Sequence, residues 1–440
     1  MSVSRRDAFR LGGAVALAGM AGAGAKAQTA IKASQTIDPQ QQFDPGKPGV
    51  DYTPVITPNG ETLHYKVRGG AKVFHLVAEE VDHVFAPGLE AKCWGYNGRV
   101  HGPTIEAVEG DIIRVYVTNR LPAATTVHWH GVILPSGMDG VGGLSQAPIE
   151  PGETFRYEFK LVHHGTFMYH SHHDEMTQMA MGMMGMIVVH PRKPKGPLPD
   201  RDYVLMMSEW SIEPGTRRPN PNEMTDFNVL TFNARAFPGT DPLVAEVGEK
   251  VRIRFGNLSA MDHHPIHLHG YAFTVTETDG GPIPESAQHP DTTVLVPTGA
   301  TRTIEFSADN PGDWAMHCHM THHVMTQMGH DLDVLIGADN EALNEALAPA
   351  LPGAMIMGAE GMGDHGRHLG MGHVAIPENS TPMVGAIGPK GYITMGGMFT
   401  IVKVREKIAS DNAVGWYEDK PQNQARIATS DELIQDEIVS

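Results

Sequence analysis

The chain has 440 residues, 41% hydrophobic and 19% charged, with a net charge of −18. That is apolar enough for two or three packed domains and excludes a disordered chain, while the acidic balance argues against a broad face for nucleic-acid phosphates, so no nucleic-acid partner is expected. Only two cysteines occur, Cys93 and Cys318, against 25 histidines and 25 methionines, an excess of metal-ligand side chains.

The N-terminus reads Ser4-Arg5-Arg6-Asp7-Ala8-Phe9, then a Gly/Ala-rich apolar run and Ala25-Lys26-Ala27. Twin arginines, a short apolar stretch and a small-x-small end predict a Tat-type export signal over residues 1–27, with a periplasmic or secreted destination. The apolar run of about 15 residues is short of the about 20 a spanning helix needs, so no membrane span is expected. Cleavage after Ala27 removes four positive charges and one negative, making the mature chain still more acidic. Residues 28–60, rich in Gln, Pro and Gly, predict an irregular arm. Cys93, in AKCWGY, reads as a small buried hydrophobe.

From residue 61 one pattern is written twice. Val108-Glu109-Gly110-Asp111 and the run 112–119 lead to His128-Trp129-His130-Gly131; Val247-Gly248-Glu249-Lys250 and the run 251–257 lead to His267-Leu268-His269-Gly270. Pro151-Gly152-Glu153 then leads through Gly165-Thr166-Phe167 to His170-Ser171-His172, as Thr298-Gly299-Ala300 leads through Gly312-Asp313-Trp314 to His317-Cys318-His319. Such a repeat marks two related domains, and short alternating runs punctuated by Gly and Pro predict Greek-key β-sandwiches. Domain one is expected over 61–193 and domain two over 200–338, with 191–199 as the linker.

The stretch 314–330, WAMHCHMTHHVMTQMGH, carries the most chemistry. Cys318 stands between His317 and His319, His323 follows four residues after His319, and Met328 five beyond that. Thiolate, imidazole and a weak, distant thioether are the ligand set of a blue-copper electron-transfer site. Side chains alternate faces along a strand, so His317 and His319 point away from Cys318 and are free for a second metal centre. Domain one has Ser171 at the place of Cys318, so no thiolate site is expected there. The methionines of 173–186 read mostly as core packing.

Together His128-x-His130, His170-x-His172, His264-x-x-His267-x-His269 and His317-Cys318-His319-x3-His323-x4-Met328 resemble the four copper motifs of the multicopper oxidases. The resemblance covers about residues 70–335 and is strongest to two-domain, laccase-like bacterial members with the thiolate site in the second domain. It implies an all-β chain of two cupredoxin-like Greek-key domains with an irregular N-terminal arm and C-terminal tail, and four coppers per subunit. Type 1 copper is implied on His264, Cys318 and His323 with Met328 axial. His128 and His267 match the type 2 ligands, and His130, His269, His170, His172, His317 and His319 the type 3 pair. The implied reaction takes single electrons from a small reducing substrate, a phenol or aromatic amine, and reduces O₂ to water.

Oxidation of Cu(I) is the second reading, supported by the Met/His excess and the export signal. A copper nitrite reductase would not need every His pair, and a copper-sequestering protein would not need His317-Cys318-His319. Asp139, in SGMDGVGG, matches the acidic residue beside the trinuclear site and is implied as a proton relay or ligand orienter; an ordinary Asp-Gly turn is the plainer alternative. Two positions depart from the family: Gln327, where glycine is usual, and Val324, where cuprous-oxidase relatives can carry an acid. His163, His164, His173, His263, His322 and His330 flank the motifs without fitting them and read as surface or supporting groups. The cluster needs histidines from both domain types. In a two-domain chain this implies sharing between neighbouring subunits, as a homotrimer.

Beyond the second domain, residues 339–351 predict a short helix. The segment 355–373 holds Met355, Met357, Met362, His365, His368, Met371 and His373, and reads either as a copper-capturing segment or as a connector. The strand-like end of 392–404 is expected to dock on a domain or a neighbour, and 405–440 to be peripheral.

Overall fold

The computed structural model describes residues 41–213, 215–327, 346, 378–381, 385–409 and 414–439. The export signal, Met328, His330 and the segment 355–373 lie outside these residues. The first repeat contributes β1 (Lys66–Arg68), β2 (Ala71–Ala86), β3 (Leu89–Tyr96), β4 (Ile105–Val108), β5 (Ile112–Asn119), β6 (His128–His130), β7 (Thr154–Lys160), β8 (Gly165–His170), a short helix α1 (Glu175–Ala180) and β9 (Met184–His190). The second contributes β10 (Arg201–Trp210), β11 (Val229–Phe232), β12 (Leu243–Glu246), β13 (Lys250–Asn257), β14 (His264–Leu268), β15 (Phe273–Thr278), β16 (Gly281–Pro282), β17 (His289–Asp291), β18 (Thr293–Val296), β19 (Thr301–Ser307) and β20 (Gly312–Cys318). A hairpin, β21 (Ala386–Gly388) and β22 (Gly391–Ile393), precedes β23 (Phe399–Arg405).

Each repeat folds as two facing sheets. In the first, β1-β2-β5-β7, with β3 on β2, faces β4-β9-β8-β6; in the second, β11-β10-β13-β19-β15-β16 faces β12-β23-β20-β14-β18. Alternation builds the cores: Ile113, Val115 and Val117 of β5 point inward while their neighbours are half-exposed. The two pairing patterns match strand for strand. The parallel pair β2–β5 corresponds to β10–β13, and the run β4-β9-β8-β6 to β12-β23-β20-β14.

That correspondence gives β23 its meaning. It is the counterpart of β9, parallel to β12 and antiparallel to β20, with Phe399–Val404 buried. The second sandwich thus takes an interior strand from residues well past the run 200–338 read as domain two. The Met/His-rich segment falls between the Cys318 loop and this strand, in sequence an insertion rather than a tail.

The domains meet along β8 and β9 on one side and β10, β13, β15 and β19 on the other. Met168, Met184, Met186, Val188, Val204, Met206 and Leu258 form one buried cluster across this seam. Methionine suits it because unbranched thioethers fill irregular gaps. Arg254, 1% exposed, donates to Asp202, Glu277 and, across the seam, Thr166. The arm from residue 41 lies on domain one. Gly46 N–H donates to Asp111, Val55 N–H donates to Glu106, and Tyr52 stacks on His190 with ring centroids 4.2 Å apart. Cys93 is buried, and burial raises its thiol pKa. No helix among the described residues is long and apolar enough to cross a membrane.

Candidate metal centre

Strand register assembles the site. In domain two β14 pairs with β20, with His267 opposite His317 and Ile266 opposite Cys318. In domain one β6 pairs with β8, with His128 opposite His170. Each His-x-His pair therefore lies beside the other on one edge of its sandwich.

On the other face of β20, Cys318 meets His264, from the start of β14, and His323, from the 3₁₀ turn Thr321–Val324. The Cys318 Sγ is 3.7 Å from His264 Nδ1 and 3.4 Å from His323 Nδ1, and the two nitrogens are 3.2 Å apart. The outer nitrogens are occupied elsewhere: His264 Nε2 lies 2.7 Å from Ser259 Oγ, and His323 Nε2 3.3 Å from Asp262 Oδ2. Both Nδ1 atoms are thereby left facing the sulfur. Burial lowers the pKa of His264 to about 3 and that of His323 below its usual range, keeping both imidazoles neutral. Burial also pushes the Cys318 thiol up to about 12, so a thiolate there requires a bound cation. Two neutral imidazoles and one buried sulfur fit copper by donor type. Met328 lies outside the described residues. Its neighbour Gln327, one of the departures from the family pattern, is buried, donating to Ile212 O and accepting from Thr381 N–H.

The remaining eight histidines form two quartets. In domain one the His128 ring centroid is 5.8 Å from His130 and 5.3 Å from both His170 and His172. In domain two the His267 centroid is 4.7 Å from His269, 5.9 Å from His317 and 5.7 Å from His319. Backbone carbonyls fix most tautomers. The Nδ1–H groups of His128, His170, His267 and His317 donate to Asp139 O, Ser171 O, Thr292 O and Cys318 O. These rings present Nε2 to a metal. His130 is turned the other way: its Nε2–H donates 2.8 Å to Gly299 O of domain two, and Nδ1 faces His170 Nε2 at 3.3 Å. Burial lowers the pKa of His130, His170 (to about 3), His269 and His317, again favouring the neutral ligand form. Among the described residues, no ring contact joins one quartet to the other.

Asp139 caps the 3₁₀ turn Ser136–Met138, and its Oδ1 lies 3.4 Å from His128 Nδ1. The following Gly140, at φ +84°, permits this approach: a Cβ there would stand 1.7 Å from Val127 O.

Where domain two has its sulfur site, domain one has hydrogen bonds. Thr125 occupies the place of His264 and Ser171 that of Cys318. Both hydroxyls donate to Gln178 Oε1, at 2.7 and 2.5 Å, while Gln178 Nε2 donates to Ala124 O. This network places hydroxyls and an amide where domain two places a sulfur and imidazoles.

Sequence reasoning missed four supporting residues. Ser259 and Asp262 back the His264 and His323 imidazoles, Gln178 bridges Thr125 and Ser171, and Glu175 of α1 lies within 3.6 Å of both His170 and His172. Only the carboxylates in MDHH and HDEM gave any signal. Of the flanking histidines, His163 donates to Gly131 O and His263 Nδ1 accepts from Thr298 N–H, both supporting contacts.

Two family models, each described as multicopper oxidase, match residues 78–194 and 213–337. Copper resistance protein A of Escherichia coli is 33% identical over 242 residues, 44% of this chain and 40% of that protein. Laccase-1 of Cryptococcus neoformans var. grubii is 30% identical over 222 residues, 44% of this chain and 35% of that one. The chain thus spans less than half the length of these curated relatives. The solved multicopper oxidase mgLAC matches 80% of this chain and 91% of its own, with a TM-score of 0.55 and 29% identity. With two adjacent family matches carrying all four histidine motifs, on a fold shared along most of the chain, this protein belongs to the multicopper oxidase family.

Proposed function

We propose that the protein takes single electrons from a small reducing substrate, a phenol or aromatic amine, and reduces O₂ to water. The observation that carries this reading is the placement of Cys318. It is the sulfur of the His264–Cys318–His323 site and is joined covalently to His317 and His319 of a histidine quartet. Copper held by these residues would supply the one-electron chemistry, with four ions per subunit matching the four electrons O₂ needs. His264, Cys318 and His323, with Met328 as a fourth ligand, would hold type 1 copper. His128 and His267 would hold type 2, and His130, His170, His172, His269, His317 and His319 would hold the type 3 pair. Asp139, whose Oδ1 lies 3.4 Å from His128 Nδ1, would orient that ring or relay protons toward the cluster.

The two quartets form separate edges of one chain, and each is half of an eight-histidine set. A neighbouring chain supplies the other half, and closure of such head-to-tail contacts gives a homotrimer. The twin-arginine start directs the chain to the periplasm or the exterior.

One observation favours Cu(I) as the electron donor instead. Met261-Asp262-His263-His264 and Met320-Thr321-His322-His323 place a thioether three residues before each type 1 histidine, and Met261 and Met320 are 56% and 40% exposed. Thioethers select cuprous ion. Oxygen uptake by the copper-loaded enzyme with stabilised Cu(I) and with a dimethoxyphenol separates the two readings. The phenol reading expects the higher kcat/KM for the phenol. A reversed preference, lost in M261L/M320L, would make Cu(I) the donor. No uptake with either donor at four coppers per chain would end the oxidase reading.

A further inference from the structure

Three rings of the domain-one quartet are tied to backbone carbonyls: His128 to Asp139, His130 to Gly299 and His170 to Ser171. His172 has no such acceptor among the described residues. Its polar neighbour is Glu175, the first residue of α1, whose Oε2 lies 3.6 Å from His172 Nε2. The other carboxylate oxygen lies 3.6 Å from His170 Nδ1. The chain is turned into this position by Asp174, at φ 47° and ψ 51°, a left-handed conformation that non-glycine residues seldom adopt. Among the described residues, no carboxylate is ion-paired to a histidine of the domain-two quartet. Asp139 and Glu175 thus put two carboxylates of domain one beside its quartet, at 3.4 and 3.6 Å from ring nitrogens.

We propose that Glu175 is a positioning residue for the trinuclear copper site. It orients His172, as backbone carbonyls orient its three companions, and places a negative charge beside ligands that must carry several cations. Imidazole ligands are commonly held by a carboxylate or carbonyl on the far nitrogen, and loss of such a partner weakens metal affinity 10–100-fold. The Glu175 side chain is 44% exposed in the single chain, so its removal leaves the core untouched. This inference rests on the oxidase reading above.

The test compares wild type, E175Q and E175A after copper loading and dialysis against a graded chelator. Copper per chain is counted, and the blue type 1 absorption is followed beside the near-ultraviolet absorption of the coupled pair. Both variants are expected to keep the blue absorption, yet lose the remaining copper and the near-ultraviolet band at about tenfold lower chelator or less. E175A should lose more than E175Q, which keeps a polar group near His172. Retention equal to wild type in both variants would overturn the role of Glu175 and leave the oxidase reading standing. A wild-type chain that retains only its type 1 copper would overturn both.

Discussion

Replacing Arg254 by methionine strands two buried acids. Its Nε and Nη2 donate to Asp202 at 2.8 and 3.0 Å, and its Nη1 donates to Glu277 at 3.1 Å and Thr166 at 2.8 Å. Burial opposes the Arg254 charge, but Asp202 and Glu277 outweigh it and raise its pKa. Burial likewise raises Glu277, and the charges of Arg254 and Arg252 more than offset it, so this carboxylate sits below its usual range. Without Arg254, Asp202 keeps only Arg252 Nη1 at 3.4 Å, and Glu277 keeps the Thr303 hydroxyl at 2.8 Å. Breaking a buried pair from one side costs about 3–5 kcal/mol, mostly through the charge left behind. With two acids stranded, the upper part of that range is expected. Urea unfolding of wild type, R254M and R254M/D202N/E277Q at neutral pH is the assay. The triple variant, with no buried charge at this site, should regain most of the loss. A loss below about 1 kcal/mol in R254M, or a triple variant less stable than the single, would refute the reasoning.

Gln178→Ala removes the shared acceptor of two buried hydroxyls and the donor to Ala124 O, and should cost about 1–3 kcal/mol in thermal unfolding without changing copper per chain. A chain ending at residue 398 loses β23 and opens the interior of the second sandwich; it should be insoluble or lack a cooperative transition by calorimetry. Burial pushes Glu106 up to about 7, above the 4.5 of an exposed glutamate. The folded chain therefore binds the extra proton between those values, and its contribution to stability is lost as pH rises from about 4.5 to 7, by roughly 3 kcal/mol. Glu106→Gln keeps an acceptor for Val55 N–H and should lack this decline, which the wild-type-minus-variant unfolding free energy against pH will show.

The sequence by itself determined how the motif residues are arranged along their strands. Alternating faces around Cys318 follow from covalent geometry, and the His-x-His spacing puts both rings of each pair on one side of a strand. The place of Ser171 opposite that of Cys318 in the repeat is likewise legible, because local register carries that position. Tertiary structure decided what depends on distant chain. A short apolar run does not state its partner strand, so β23 became an interior strand only by filling the place β9 fills in the first repeat. His130 owes its reversed tautomer to Gly299 in the other domain. Asp262 and Glu175 acquire roles because loops outside the motifs fold back against the imidazoles. Motif spacing records bonds along the backbone, whereas these contacts are set by how the two sandwiches and their loops pack.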